Sequence, residues 1–249
     1  MNKFDELIKI VKKLRAPDGC EWDREQTHKS LIPYLLEETH EVIESIENKD
    51  FKSLKEELGD LILHVIFQAD LADENNKFSV EEVLDGINKK LINRHPHIFL
   101  DPSNNTSKQG SWEATKKKEK NRDSVLEGVP KSLPALLQSR RIQEKAADVG
   151  FDWEKNSQVI AKVDEEIAEL KDAIKIKKGI NEEFGDVLFS LVNLSRHLDI
   201  DPESSLKKST IKFISRFKEI EKKVDIEKLS LEELDKIWNE NKEKYNLGK

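Results

Sequence analysis

The sequence predicts an all-α protein made of two tandem helical domains, and three observations predict it. Leu, Ile, Glu and Lys dominate, while 9 Gly and 7 Pro leave few helix breakers in 249 residues. Apolar residues recur at the i, i+3, i+4 spacing of an amphipathic helix in segment after segment. The order of signals in the first half then starts again in the second. Each domain is expected to be built round a carboxylate-bearing helical hairpin, with a four-helix-bundle-like core completed by dimerisation.

Taken in order, Phe4, Leu7, Ile8, Val11 and Leu14 share one helical face, and Ala16-Pro17-Asp18-Gly19 ends that helix. Gly19-Cys20-Glu21-Trp22-Asp23 follows as a loop. Thr27 or Ser30 is positioned to cap a second helix, whose core face is Leu35, Val42 and Ile46 and whose flank carries Glu37, Glu38 and Glu41. After the turn Asn48-Lys49-Asp50, Ser53 with Glu56 forms a capping box. Leu58, Leu61, Ile62 and Val65 then face inward, beside Glu57 and Asp60. A helix beginning near Ser79 runs through Val80, Val83, Leu84, Ile87 and Leu91 to a stop at Arg94-His95-Pro96. A polar loop over 101–107 and a short charged helix over Trp112–Lys120 lead to Gly128, Pro130 and Pro134. That punctuation sets the expected domains at 1–127 and 128–249.

The second half carries the residues round which the rest is organised. Val159, Val163, Ile167, Leu170 and Ile174 form an apolar stripe with Lys162, Glu166 and Glu169 along one flank and Glu165 just beyond. A break at Lys177-Lys178-Gly179 precedes a second stripe of Ile180, Phe184, Val187, Leu191 and Leu198, flanked by Glu183, Asp186 and Asn193. Packed by their stripes in an antiparallel hairpin, the two helices would gather at least four carboxylates. Their mutual repulsion calls for a hard divalent cation. Further helices through Ile211 and Phe217 and round Trp238 complete the domain.

Five motifs recur in the same order. Gly19-x-x-Trp22-Asp23 matches Gly150-x-x-Trp153-Glu154, Glu37-Glu38-x-x-Glu41 matches Glu165-Glu166-x-x-Glu169, and Glu57-x-x-Asp60 matches Glu183-x-x-Asp186. Lys90-x-x-x-Arg94 matches Lys212-x-x-x-Arg216, and Trp112-x-x-x-Lys116 matches Trp238-x-x-x-Lys242. The copies differ at Lys162, Asn193 and Arg196, whose counterparts are Tyr34, Phe67 and Asp70. The first copy keeps its acids but loses groups able to face a phosphate chain, so the second copy is expected to do the work.

Composition excludes several classes. With 43 basic and 50 acidic residues the net charge is −7, which disfavours nonspecific nucleic-acid binding. No apolar run approaches the roughly 20 residues that span a bilayer, and the polar start is unlike a signal peptide, so a cytoplasmic location without membrane partners is expected. Cys20 is the single cysteine, which leaves no intrachain disulfide. Neither Gly-x-Ser-x-Gly nor Gly-x-x-x-x-Gly-Lys-[Ser/Thr] occurs, which removes nucleophile-elbow and P-loop chemistry. Glutamate-rich flanks are often only solvated faces, and Trp residues are more often core anchors than stacking platforms. A di-iron carboxylate bundle finds a Glu-x-x-His element only at Glu37-x-x-His40, since Ala168 replaces the histidine in the second copy. A non-enzymatic helical module that senses nucleotides is the other alternative.

The paired acidic motifs, the segment Leu14-Arg15-Ala16-Pro17-Asp18-Gly19-Cys20-Glu21-Trp22-Asp23 and the segment Asn93-Arg94-His95-Pro96-His97 together resemble the MazG nucleoside triphosphate pyrophosphohydrolases of the all-α NTP pyrophosphatase superfamily. The resemblance covers essentially the whole chain in a tandem two-domain form. It implies Mg²⁺-dependent hydrolysis of ribo- and deoxynucleoside triphosphates, ATP included, to monophosphate and pyrophosphate with broad base tolerance. It also implies homodimers of interlocked helical domains that work mainly through the second copy. On this basis Glu166, Glu169, Glu183 and Asp186 are assigned to the metal, with Glu38, Glu41, Glu57 and Asp60 as the first-copy equivalents. Glu165 is a further ligand or the base that orients water, and Glu165, Glu166 and Lys162 form the catalytic set. Lys162, Lys212, Arg216 and Lys242 would hold phosphate oxygens, Trp238 would pack near the nucleotide, and Asn193 and Arg196 would contact sugar or phosphate.

Overall fold

The computed structural model describes residues 2–99 and 122–246. The helix expected over Trp112–Lys120 lies outside the described residues, as do the Trp112 and Lys116 positions and the side chain of Lys242. Every regular element among the described residues is helical. The chain divides into two compact units, Met1–Ser107 and Lys108–Lys249, rather than at the expected 127/128. Residues beyond that division support the earlier start of the second unit: Lys145 Nζ donates to Val125 O at 3.0 Å.

In the first unit, α1 (Lys3–Leu14) starts at Asn2, whose side chain accepts from Asp5 N. The chain then reverses so tightly that Cys20 N bonds Leu14 O at 2.7 Å. A Cβ on Gly19 would lie 2.1 Å from that carbonyl oxygen, so only glycine fits there. The loop expected next contains a short helix, α2 (Glu21–Glu25). Helix α3 (Ile32–Asn48) starts at Leu31 with no side-chain cap, because Thr27 and Ser30 bond each other's backbone N–H one turn earlier. Helix α4 (Phe51–Glu74) is capped by Asp50 instead of Ser53. Its carboxylate accepts from Lys52 N and Ser53 N, which moves the start of the helix ahead of the predicted cap. Helix α5 (Val80–Arg94) has the predicted start at Ser79, in a reciprocal capping box with Glu82, and the four-residue α6 (Pro96–Phe99) follows.

Helix α1 packs on α4, and Val11, Leu31, Ile66, Phe67 and Leu71 form the core of this unit. Fully burying side chains of this size contributes roughly 1.5–3 kcal/mol each. The predicted core faces of α3 and of the first half of α4 lie elsewhere. Leu35, Ile46, Leu58, Ile62 and Val65 are exposed, because α3 and α4 turn other faces to each other and α1 covers only the later turns of α4.

The second unit repeats the plan. Helix α7 (Ala135–Asp148) packs on α9 (Ile180–His197), which forms a hairpin with α8 (Asn156–Ile176). The hairpin turns where predicted, with Lys177 at φ 56 and Gly179 at φ 74, left-handed positions that suit glycine at the second. Helix α10 (Pro202–Glu221) packs on α7, and α11 (Leu231–Asn246) packs on α10 after a 3₁₀ turn at Ile226–Lys228. The seam of the hairpin differs from the predicted stripes. Val159, Val163, Glu166, Ala173, Ser190, Val192 and Asn193 are buried, whereas Ile174, Ile180, Phe184, Leu191 and Leu198 remain exposed. Glu166 and Asn193 of the polar flank therefore face inward, and much of the apolar stripe is left without a cover within one chain.

Candidate active site

Helices α8 and α9 bring carboxylate oxygens of Glu166, Glu183 and Asp186 within 4.8 Å of one another. The reason is helical spacing: Glu183 and Asp186 lie three residues apart on α9, and the hairpin sets Glu166 of α8 opposite them. Glu166 is buried, Glu183 half-buried and Asp186 exposed. Partial burial, then the charges of Glu169 and Asp186, push the Glu183 carboxyl above its ordinary value. Glu169, expected among the metal ligands, is exposed and acts on Glu183 through its charge from outside the close trio.

Lys162 lies one turn before Glu166 and answers part of that negative charge. Its Nζ sits 2.8 Å from Glu165 and 2.7 Å from Glu166, and these two bonds raise its affinity for a proton well above that of an ordinary lysine. Glu165 is exposed and stands beside the trio rather than in it, paired with Lys162. The first unit gathers a different trio, Glu38, Glu41 and Glu57 within 4.8 Å, in which Glu41, the counterpart of Glu169, takes the place that Asp186 has in the second and Asp60, expected among the ligands, stays outside. Asp60 stands near enough to raise both the Glu38 and Glu57 carboxyls, after the larger effect of their partial burial. His40 is exposed and belongs to neither trio, and among the described residues no histidine joins the acids as the di-iron alternative requires.

Beside the second trio opens a cavity of about 330 Å³, within the ~300–1,000 Å³ range of small-molecule sites. Lys162, Glu166 and Asp186 form its charged edge, while Ile142, Phe151, Trp153, Val159 and Phe189 supply most of its apolar wall. Asn193 and Arg196, the residues expected to contact sugar or phosphate, also line it. The remaining candidates lie elsewhere in the chain. Lys212 is exposed, and Arg216 is buried with its guanidinium 5.9 Å from the Trp238 ring, which in turn packs 5.0 Å from Phe213. Neither they nor Trp238 line the cavity.

Two cavity residues carried no role in the sequence reading. Gln143 of α7 donates to Phe189 O at 2.9 Å and is buried. Asp152, in the repeated Gly150–Glu154 motif, accepts both terminal nitrogens of Arg196 at 2.8 and 2.5 Å. That pairing, after which come His197 and its bond at 2.9 Å, draws the Asp152 carboxyl down to about 2. A signal for this pair existed in the sequence. Where the first copy pairs Asp70 with Arg15, the second has Arg196 and an uncharged Ala146, so Arg196 needs an acid from elsewhere in its domain.

These features define a duplicated all-α protein whose second copy sets an oxygen-rich acidic cluster against an open, mainly apolar cavity. The MazG nucleotide pyrophosphohydrolase domain matches residues 26–99 and 154–221, and the chain belongs to this family. It is 48% identical to the nucleoside triphosphate pyrophosphohydrolase/pyrophosphatase MazG of Thermotoga maritima, over 96% of this chain and 95% of the relative. It is 40% identical to the nucleoside triphosphate pyrophosphohydrolase of Escherichia coli K12, over 97% of this chain and 98% of the relative. The uncharacterized protein YabN of Bacillus subtilis is 41% identical over 97% of this chain, which matches 52% of that protein.

Proposed function

We propose that the protein hydrolyses nucleoside triphosphates, ribo and deoxy, to nucleoside monophosphate and pyrophosphate, with Mg²⁺ as cofactor and the second copy as the working site. The observation that carries this reading is the shared edge between the acidic trio and the cavity. Glu166 and Asp186 belong to both, so a nucleoside in the cavity has its phosphate tail over the carboxylates. The names of the full-length relatives support the same reaction.

The donor set fits magnesium, which prefers hard oxygen ligands: Glu166, Glu183 and Asp186 offer carboxylates alone, without Cys or His. These three would hold the ion, with Glu169 within reach of the same charge field. When bound, the ion neutralises phosphate charge and eases deprotonation of the attacking water. Water attacks the α-phosphorus, the bond to the bridging oxygen of the β-phosphate breaks, and pyrophosphate leaves. Lys162 is poised to pass from Glu165 and Glu166 to phosphate oxygens. Releasing Glu165 in this way leaves a solvated carboxylate to take the proton of the water.

Lys212, Arg216, Lys242 and Trp238 are assigned to phosphate and nucleotide in the same proposal. Since Lys212, Arg216 and Trp238 stand away from the cavity in one chain, they reach it only from a second copy or after rearrangement. A homodimer is also supported by exposed Ile174, Phe184 and Leu191, 53%, 54% and 43% accessible in the single chain. No helix among the described residues is long and apolar enough to cross a membrane, and action in the cytoplasm on free nucleotides belongs to the same reading. The test is a panel of ribo- and deoxynucleoside triphosphates with Mg²⁺, the products resolved by phosphorus NMR. Monophosphate and pyrophosphate in equal amounts are expected, and diphosphate with inorganic phosphate, or no turnover, would defeat the reading.

A further inference from the structure

The Asp152, Arg196 and Asn193 side chains form a chain of contacts ending on the cavity. Arg196 grips the Asp152 carboxylate with both terminal nitrogens, and its Nε and one terminal nitrogen also donate to Asn193 Oδ1 at 3.1 and 2.8 Å. His197 Nε2 stands 2.9 Å from Asp152 and 3.0 Å from Arg196, packing the far side of the pair. Asn193 is buried, and all three members of the chain line the cavity.

A guanidinium only donates, so the side of the Asn193 amide that meets it must be the carbonyl; a flipped amide would set N–H against N–H. The NH₂ group is then directed to the opposite side, and the hydrogen bonds found for the Asn193 side chain among the described residues are those its Oδ1 accepts. Both guanidinium edges are meanwhile committed, one to Asp152 and one to Asn193. Arg196 is thus poorly placed to bind phosphate, the role its charge suggested.

We propose that Asp152 and Arg196 are positioning residues that lock the Asn193 amide so that its NH₂ group donates to a hydrogen-bond acceptor on the nucleoside held in the cavity. The inference rests on the cavity being the nucleoside site. It moves Arg196 from the phosphate-binding set to a supporting one and makes Asn193 the polar contact that orients the nucleoside against the acids. The acceptor is a sugar oxygen or a carbonyl or ring nitrogen of the base. The first copy, with Phe67 and Asp70 at these positions, has no such donor.

The experiment compares steady-state hydrolysis of nucleoside triphosphates with competitive inhibition by inorganic triphosphate, which has phosphates but no nucleoside. Asn193→Asp keeps the shape and the acceptor for Arg196 but replaces the donor with an oxygen. It should raise KM about tenfold with a much smaller change in kcat, and leave the inhibition constant of inorganic triphosphate within about twofold. Arg196→Met should give the KM rise of Asn193→Ala, again without weakening inorganic triphosphate. The double variant Asn193→Ala/Arg196→Met should be no worse than Asn193→Ala alone. Arg196→Lys, which keeps the charge but not the fork, should behave like Arg196→Met.

A KM penalty in Asn193→Asp that disappears with 3′-deoxy substrates identifies a sugar acceptor, and one that varies with the base identifies a base acceptor. Unchanged KM in Asn193→Asp, multiplicative effects in the double variant, or inorganic triphosphate weakened tenfold by Arg196→Met would each overturn the inference. Should Arg196→Met fail to fold, Asn193→Asp and Arg196→Lys carry the decision. Failure of the wild-type protein to bind or cleave any nucleoside triphosphate is a separate result, which removes the parent reading before any variant is compared.

Discussion

The two halves of this molecule carry the same acids on the same helices and differ in what stands beside them. Both hairpins gather three carboxylates within 4.8 Å. In the second copy Ala146, Ser190 and Asn193 line an open cavity, and the corresponding residues of the first copy, Arg15, His64 and Phe67, are all larger. The Arg15 guanidinium lies 4.9 Å from the Phe67 ring centre. It bonds Asp70 at 2.8 Å, Asp23 O at 2.7 Å and Glu74 at 2.5 Å, and its side chain is 3% exposed. The protein thus fills in one half, with its own cation and ring, the positions that border the cavity in the other. An acidic pattern alone is therefore a poor guide to a working site, because the room for substrate is set by residues outside the pattern.

The sharpest way to break this comparison is to remove one acid from each cluster. Glu166→Gln is expected to lower pyrophosphate release by about 10³-fold or more, since it takes charge from the buried member of the trio at the cavity edge. Glu38→Gln in the first copy is expected to leave the rate within about twofold. Initial rates under saturating Mg²⁺, with circular dichroism confirming intact helices, decide it. Comparable losses in the two variants would mean that the filled half contributes to turnover.

What could be read in advance follows the same division. Helices, hairpin turns and acid clusters are local in origin: the 3.6-residue period places Glu183 and Asp186 together, and Lys177-Lys178-Gly179 ends a helix through left-handed positions that glycine favours. The buried faces were harder to read. Ile180, Phe184 and Leu191 have the period of a core face, yet Ser190, Val192 and Asn193 are the residues buried against α7 and α8, because periodicity locates a stripe without saying what covers it. The capping signals Thr27, Ser30 and Ser53 were real hydrogen-bonding residues displaced by neighbours, with Asp50 starting α4 ahead of Ser53. The cavity depends on α7, whose Gln143 and Ala146 carry no chemistry-bearing motif. Only the matched exchange of Arg15 and Asp70 for Ala146 and Arg196 pointed to it.

A second contrast concerns stability. Arg15→Met leaves Asp70, with a side chain only 9% exposed, facing no cation, and the expected cost is about 3–5 kcal/mol. Arg196→Met removes an equivalent pair, but Asp152 is 26% exposed and keeps His197 beside it, so about 1–2 kcal/mol is expected. Urea unfolding of the two variants measures the difference. Equal losses would show that the first-copy pair is no more deeply built into its domain than the one that lines the cavity.

The smallest effect separates the clusters by pH. Burial and neighbouring acids raise the Glu38, Glu57 and Glu183 carboxyls above 4.5, so the native state binds their protons more tightly than the unfolded chain does. Without divalent cations, their contribution to stability therefore falls as pH rises from about 4.5 through the raised native values. Asp152 works in another window: its carboxyl is lowered to about 2, so its stabilisation is complete above 3.8 and is lost as pH falls towards 2. In EDTA, Tm should decline slightly from pH 5 to pH 7.5, and added Mg²⁺ should abolish the decline by binding the ionised carboxylates. The clusters should also respond unequally to the loss of one charge. Lys162 lies 2.7 Å from Glu166 in the second copy, whereas the first has Tyr34 at that position, stacked edge-on against Trp22. Repulsion is thus less compensated in the first copy. Glu38→Gln should raise the metal-free Tm at pH 7.5 on the order of 1–3 °C, more than Glu183→Gln does. The reverse order would show that Lys162 leaves the acids of the second copy more strained than those of the first.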